Sequence, residues 1–529
     1  MAEVAPAAAV IAALLLAAAV SAPSRAATVK LFAFDEKGAA LGLPGLLARL
    51  ARADDKKPVA DKAAFWAFPL DEKTPPSRAK LAQLGPLVTA TWPGGAARLE
   101  LVWPVKEDGY SQVAADNGGR GFADGAAVFL DEEIALTQYR LFKESWARLT
   151  TDSAPPYEPS PKAKGSADAA KMALADATRE KEAPRRAAAF EEALRLTALA
   201  WEKELYERGL QLALDGRRAK QERFGLTFDE SLLKRMDDVG WLAEAVERSG
   251  SDWVRVVFRP NGSDFTYASL RSFNEYDGAI KELRRRKIKV LGAILDTAQW
   301  PKTLTPRAYA ERVKNIVLHY KGQVSSWEIG SEINGDWLGG ASEPLSLDQV
   351  FQIYSAGAAA AKEFDPATET MATLYWWEAT APDRAHSLSD WLRRYVPKGF
   401  GDSADVIGLE LYPEDNPVGM ALERAFDTTA DAAPRRKLML SSFGYVEKDR
   451  LKGYWWLAPN DVDGGRKDLL ILYTVASCAM RGSVCGGFWW QTLDQMLPAG
   501  RHKETELFKV DARTLTQLGR KENQGDGAR

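Results

Sequence analysis

From Arg223 onward, short apolar runs alternate with amphipathic stretches. The runs are 224–228, 253–258 (WVRVVF), 290–295 (VLGAIL), 324–329, 370–375, 406–411 (VIGLEL), 437–442 (KLMLSS) and 484–490 (VCGGFWW). Between them apolar positions recur at helical spacing over 276–286, 307–320, 347–364 and 469–480. Continuous apolar runs of this length suit parallel strands covered on both faces. Eight strand–helix pairs in ~300 residues fit a (β/α)8 barrel in count and size, and residues 217–512 are assigned to it. A doubly wound open sheet is the alternative. It calls for a Gly-rich phosphate loop after an early strand, and none is present.

The N-terminal part is patterned differently. Residues 8–20 (AAVIAALLLAAAV) form an apolar run shorter than the ~20 residues of a membrane span, with small residues near Ala26 for cleavage. Residues 1–26 therefore read as a secretory signal, which implies a secreted or periplasmic protein; an uncleaved signal anchor is the alternative. Residues 29–34 alternate like a strand, as do Leu99, Leu101 and Trp103 against their polar neighbours, and 116–121 (DNGGRG) is a loop. Residues 27–150 read as a β-rich, sandwich-like domain, with Trp92 and Trp103 in its core and Asp116 and Asp124 as turn residues. The Pro/Ser-rich span 151–166 reads as a linker. Residues 167–216 read as a helical connector whose stripe is Phe190, Leu194, Trp201, Leu205 and Leu212. Residues 513–529 read as a polar tail.

Length and charge narrow the classes. A chain of 529 residues suggests two or three domains, and 46% hydrophobic with 27% charged residues is a globular composition. The 70 basic and 73 acidic residues leave a net charge of −3, which gives no electrostatic reason for a nucleic acid or an anionic membrane as partner. After the first twenty residues no apolar run reaches membrane length, so no insertion of the mature chain is expected. The two cysteines, Cys478 and Cys485, suit either a disulfide in an exported chain or two buried thiols. No Cys/His pattern suggests zinc, none of the three histidines sits in a recognisable motif, and no metal or cofactor is expected.

The chemistry concentrates at the end of the fourth run, VSSWEIGSEINGDW, where Glu332 stands at the C-terminal end of a strand. A parallel barrel carries its reactive groups there. The segment Trp327-Glu328-Ile329-Gly330-Ser331-Glu332 resembles the acid/base strand of clan A glycoside hydrolases, usually W-E-I-x-N-E. Leu438-Met439-Leu440-Ser441-Ser442-Phe443-Gly444-Tyr445 looks like that clan's nucleophile strand, which usually ends E-F-G-Y or E-F-G-W. The second run is similar to the strand bearing an active-site arginine, here Arg255. Asp405 to Pro413 resembles the strand with an active-site tyrosine, here Tyr412. Phe488-Trp489-Trp490 looks like the eighth strand, with an aromatic floor. The resemblance covers roughly residues 222–510. It implies a retaining TIM-barrel hydrolase of oligo- or polysaccharides, with Glu332 as general acid/base and Arg255, Ser331, Asn334, Tyr412, Trp489, Trp490, Trp300 and Trp376 around the sugar.

Two positions depart from that pattern. Ser331 stands where the clan has an Asn that bonds the sugar 2-hydroxyl. Ser442 stands where the clan has its nucleophilic Glu. Retention needs a carboxylate about 5 Å from the acid, and a serine hydroxyl can neither carry the charge unaided nor stabilise an oxocarbenium-like centre. Three readings stay open. Another carboxylate serves: Glu410 is a possible surrogate, Asp296 or Asp494 is placed to hold a water for inversion, and Glu328 is read instead as a buried partner of Arg255. Or the substrate's 2-acetamido group assists, although the D-x-E pattern of such enzymes is absent. Or the barrel is degenerate and binds glycan without cutting it. The expectation is a glycoside hydrolase-like protein, with a catalytically degenerate carbohydrate-binding protein as the alternative.

Overall fold

The structure is a computed structural model and describes residues 26–35, 38–50, 63–71, 74–106, 109–216, 221–258, 273–340, 343–413, 418–445, 461–500 and 502–520. The apolar run 8–20, on which the signal assignment rests, lies outside the described residues, as does most of the polar C-terminal segment.

The chain first builds two four-stranded sheets. One has the order β4 (Lys80–Leu84), β5 (Leu87–Trp92), β1 (Ala27–Phe32), β8 (Ala127–Phe129); the other β3 (Ser77–Arg78), β2 (Phe65–Pro69), β6 (Ala97–Val105), β7 (Gly109–Ala115). Burial alternates along β5, as a half-buried strand requires. Residues of both sheets, among them Val29, Leu31, Phe65, Trp92, Leu99, Leu101, Trp103 and Val113, share one core with the helices Leu43–Leu50 and Leu130–Ala147. Trp92 and Trp103 are each within 1% of full burial, so they pack this core.

The span read as a linker is helical in its last part. Ser160 caps and Pro161 opens the helix Pro161–Arg179, because the fixed φ of proline suits the first helical position. A second helix, Ala183–Leu214, buries the predicted stripe of Phe190, Leu194, Trp201, Leu205 and Leu212. It crosses the barrel helix Val462–Ala476 closely: a Cβ on Gly209 would lie 2.0 Å from the Val475 carbonyl oxygen. Residues 513–517 belong to the helix Glu506–Gln517, whose Leu515 is buried, so the start of the predicted tail is packed structure.

Eight parallel strands then close a barrel: β9 (Arg223–Phe228), β10 (Trp253–Val257), β11 (Lys289–Ala293), β12 (Ser326–Gly330), β13 (Glu369–Tyr375), β14 (Val406–Leu411), β15 (Lys437–Phe443) and β16 (Gly486–Trp489), with β16 pairing back onto β9. The closed ring excludes the open-sheet alternative. Capped helices separate the strands. Thr305 and Pro306 open Pro306–His319, and a Ser346/Gln349 capping box opens Leu347–Phe364. The interior is filled by side chains, with Trp253, Leu291, Met371, Val406, Met439, Val484 and Phe488 in one cluster. Gly292 leaves room for the Trp327 ring, which a Cβ would meet at 2.4 Å. Cys478 and Cys485 form a disulfide. Among the described residues no helix is long and apolar enough to cross a membrane.

The second N-terminal sheet docks on the barrel beside the ends of β13 and β14. Trp66 Nε1 donates to the Ala379 carbonyl (2.9 Å), Ala379 N–H to Gln112 Oε1 (2.9 Å), and Met420 N–H to Ser111 Oγ (2.9 Å).

Candidate functional site

Among the described residues, one cation and several carboxyls stand at the C-terminal mouth of the barrel. Arg255, on β10, is 1% exposed. Its Nε donates to Glu328 Oε2 at 2.7 Å, and its Nη2 lies 3.6 Å from Glu410 Oε1. Glu328 also accepts from Thr373 Oγ1 on β13 at 2.8 Å, so this carboxylate is held from two strands. The reading of Glu328 as Arg255's buried partner describes this arrangement.

Two strand irregularities set the next layer. On β12 the register slips at Ile329, and on β15 it slips at Ser441, which places Ser442 beside Glu410 of β14. Ser441 turns its hydroxyl onto the Leu409 carbonyl (3.1 Å). Such bulges re-aim side chains at barrel rims. Beyond β12 the chain turns sharply. Glu332 has a left-handed backbone (φ 48°), and Gly335 N–H closes the turn on the Glu332 carbonyl at 2.8 Å. A non-glycine residue in that region costs on the order of 1 kcal/mol, which the surrounding structure must offset.

The turn brings the half-buried Glu332 into hydrogen-bond contact with Glu410. Glu410 is 2% exposed and also accepts from Ser331 Oγ (3.2 Å) and Tyr412 OH (3.3 Å). Tyr412 OH is in turn 2.9 Å from Ser442 Oγ. Burial, then the neighbouring charges of Glu410 and Asp296, pushes the Glu332 carboxyl well above the ordinary carboxylate range. Burial also raises Glu410, to about 7, against the pull of Arg255. Asp296, which caps a short turn after β11 by accepting from Ala298 N–H (2.9 Å), is raised by burial too. Four carboxyls thus surround one guanidinium. They cannot all ionise at once: burial and mutual repulsion raise both Glu332 and Glu410, and the hydrogen bond between them favours the proton on Glu332. A protonated carboxyl at the barrel mouth is a proton donor in waiting.

Of the residues singled out from the sequence, Arg255, Ser331, Glu332, Glu410, Tyr412, Ser442 and Trp490 meet here. The Arg255 guanidinium lies 5.1 Å from the centroid of the half-buried Trp490 ring. Glu328 and Asp296 join them, whereas Asn334, Trp489, Trp300 and Trp376 do not reach the mouth. Asn334 is fully buried and binds the loop, donating to the Tyr375 and His386 carbonyls (2.9 Å each) and accepting from Tyr375 N–H (2.7 Å). Trp489 is 1% exposed, stands edge-on to Phe443 and donates to Gln495 (3.1 Å). Trp300, tilted on Tyr309, and Trp376 are equally buried. Their rings are packing, not sugar platforms, because a tryptophan at a strand end serves either purpose and only burial separates the two. Thr373, which bonds Glu328, had no distinguishing signal in the sequence, being one of three hydroxyl residues with Thr370 and Tyr375 in the run 370–375.

No protein-family model matches the chain, and no curated protein sequence matches it. Solved structures with a similar backbone layout include an endo-β-1,4-mannanase from Thermotoga petrophila (12% identity, 60% of this chain and 79% of that one, TM-score 0.41). A fungal β-1,4-galactanase (14%, 55% and 99%, 0.41) and a xylanase from Cellvibrio japonicus (13%, 56% and 99%, 0.39) are others.

Proposed function

We propose that this is an exported glycoside hydrolase-like protein whose barrel mouth binds an oligo- or polysaccharide, and that it keeps the acid half of retaining catalysis and lacks the nucleophilic half. One observation carries the reading. Ser442, at the place the resemblance assigns to the nucleophile, is bonded to Tyr412, while the neighbouring carboxylate, Glu410, is hydrogen-bonded to Glu332 itself. Two carboxyls in hydrogen-bond contact stand closer than the ~5 Å that retention places between acid and nucleophile. Glu410 is also held by Arg255, Ser331 and Tyr412, so it is committed to positioning Glu332 rather than attacking an anomeric carbon. Glu332 protonates or hydrogen-bonds a glycosidic oxygen, and Trp490 offers a ring face beside it.

A second reading, hydrolysis with inversion, is favoured by Asp296, whose carboxylate interacts electrostatically with both Glu332 and Glu410. There Asp296 activates a water and Glu332 is the acid.

The test pairs a glycan-binding screen with hydrolysis assays on aryl glycosides and polysaccharides. Expected is binding that falls on Trp490→Ala, with little or no turnover by the natural protein. Ser442→Glu is expected to raise turnover of a bound glycan by about a thousandfold or more, the order of ~4 kcal/mol in barrier that a nucleophile supplies. Turnover in the natural protein that Asp296→Asn abolishes establishes inversion. No glycan bound by any form overturns both readings.

A further inference from the structure

The seam between the second N-terminal sheet and the barrel encloses a cavity of about 60 Å³. Its lining includes Arg98 from β6, Gln112 from β7, Trp376 just past β13 and Arg424 from the barrel helix Leu422–Ala432. Each of these four presents a buried N–H group with no hydrogen-bond partner among the described residues: Arg98 Nε, Gln112 Nε2, Trp376 Nε1 and Arg424 Nη2. Gln112 and Trp376 are each 1% exposed. Buried donors are almost always paired, so four orphans on residues that line one small cavity are a signal.

The acceptors at the same cavity are already engaged. Gln112 Oε1 takes Ala379 N–H at 2.9 Å. Glu100 Oε1 takes Arg98 Nη2 at 2.6 Å, and Glu100 Oε2 forms a looser ion pair with Arg424 Nη2 at 3.6 Å, beyond hydrogen-bond reach. Glu378 takes Ser389 N–H (2.6 Å), Ser389 Oγ (2.9 Å) and Arg384 Nη1 (2.8 Å). A water placed here finds donors to accept from and few free acceptors for its own two protons. An occupant that only accepts suits a lining of such donors better than water does. Glu100 and Glu378 oppose a negative charge, and Arg98, Arg424 and Arg384 offset them.

We propose that this cavity is a binding site for a small monovalent anion of halide size, which joins the N-terminal sheet to the barrel through Arg98 and Gln112 on one side and Trp376 and Arg424 on the other. Because it binds the folded, docked chain and not the unfolded one, the anion raises stability with the logarithm of its concentration once that exceeds the dissociation constant. The site lies apart from the barrel mouth and is independent of any glycan chemistry there.

The experiment is thermal unfolding of the full chain in sodium chloride against sodium gluconate, an anion too large for the cavity, at equal ionic strength. A rise in Tm that sets in near the chloride dissociation constant and then grows with the logarithm of chloride concentration is expected, and a bromide-soaked crystal is expected to show an anomalous peak in the cavity. Gln112→Glu keeps the acceptor for Ala379 and puts a carboxylate where the amide donor was; it is expected to abolish the chloride-dependent rise. Trp376→Phe removes one donor with the ring retained and is expected to move the chloride midpoint about tenfold upward. Equal Tm in the two salts, or a bromide-free cavity filled by water, overturns the proposal. Should Gln112→Glu fail to fold, an unchanged midpoint in Trp376→Phe overturns it equally.

Discussion

Glu100, at the domain seam, and Glu410, at the barrel mouth, are the same residue type with the same 2% exposure, yet their carboxyls are displaced in opposite directions. Burial opposes ionisation at both. At Glu100 three guanidinia, Arg424, Arg98 and Arg384, outweigh it and hold the carboxyl below its ordinary range. At Glu410 burial dominates; the one cation found there among the described residues, Arg255, is spent first on Glu328, and the charges of Glu328 and Asp296 add to the burial, so the carboxyl rises to about 7. The ratio of cations to carboxyls, not depth, decides whether a buried acid is an anchor or a proton carrier. The seam is built to hold two domains together. The mouth is built with charge to spare, as sites for proton transfer are.

The comparison can be broken most severely at Arg255. Arg255→Met removes the cation that Glu328 and Glu410 share among the described residues and is expected to cost about 3–5 kcal/mol in urea unfolding at neutral pH. The loss should shrink at acid pH, where the carboxyls are protonated. A uniform loss at all pH values would show that packing, not charge, is Arg255's contribution.

The pH dependence of stability follows from the directions. Glu410 holds its proton in the fold up to about pH 7, whereas an unfolded glutamate gives it up near the ordinary value of about 4.3. Its contribution is therefore fully present below that ordinary value and lost as pH rises through about 7. Asp131 (about 6) and Asp511 (about 7), both raised by burial, act in the same sense. For Glu410 the swing is on the order of 3 kcal/mol. Glu100 works the other way: its contribution is present above the ordinary carboxylate range and lost as pH falls through its depressed value. Urea unfolding across pH 4–8 should show falling stability toward pH 8, and Glu410→Gln should flatten that slope. A slope unchanged by Glu410→Gln would remove Glu410 as its source.

The smallest effect is expected at the seam. Arg98 is one of three cations around Glu100 and its side chain is 39% exposed, so Arg98→Met should cost about 1 kcal/mol or less at pH 7. A loss as large as that of Arg255→Met would erase the distinction between the two regions.

The eight strands of the barrel were legible because strands buried on both faces are written as unbroken apolar runs; 406–411 coincides with β14 to the residue. The helix stripe from Phe190 to Leu212 was legible for the same reason, since burial along one face leaves a 3.6-residue period. Ser442 and Glu332 stood out because side-chain chemistry at strand ends is local information. Much of the N-terminal domain was not: its strands are short, and the helix Leu130–Ala147 sits within the span assigned as β-rich.

What the amino-acid order determined by itself was the repeating strand–helix pattern and which side chains, Glu332 and Ser442 among them, stand at strand ends, because each depends on residues close together in the chain. Only the tertiary structure decided that Asn334 faces the loop, that Trp300, Trp376 and Trp489 are packing, and that Glu332 and Glu410 share a proton. Those outcomes rest on two bulges, one left-handed residue and the closure of eight strands around a single arginine, which set distances between groups far apart in sequence. Coulomb energy depends on those distances and on burial, and neither is written in any one segment.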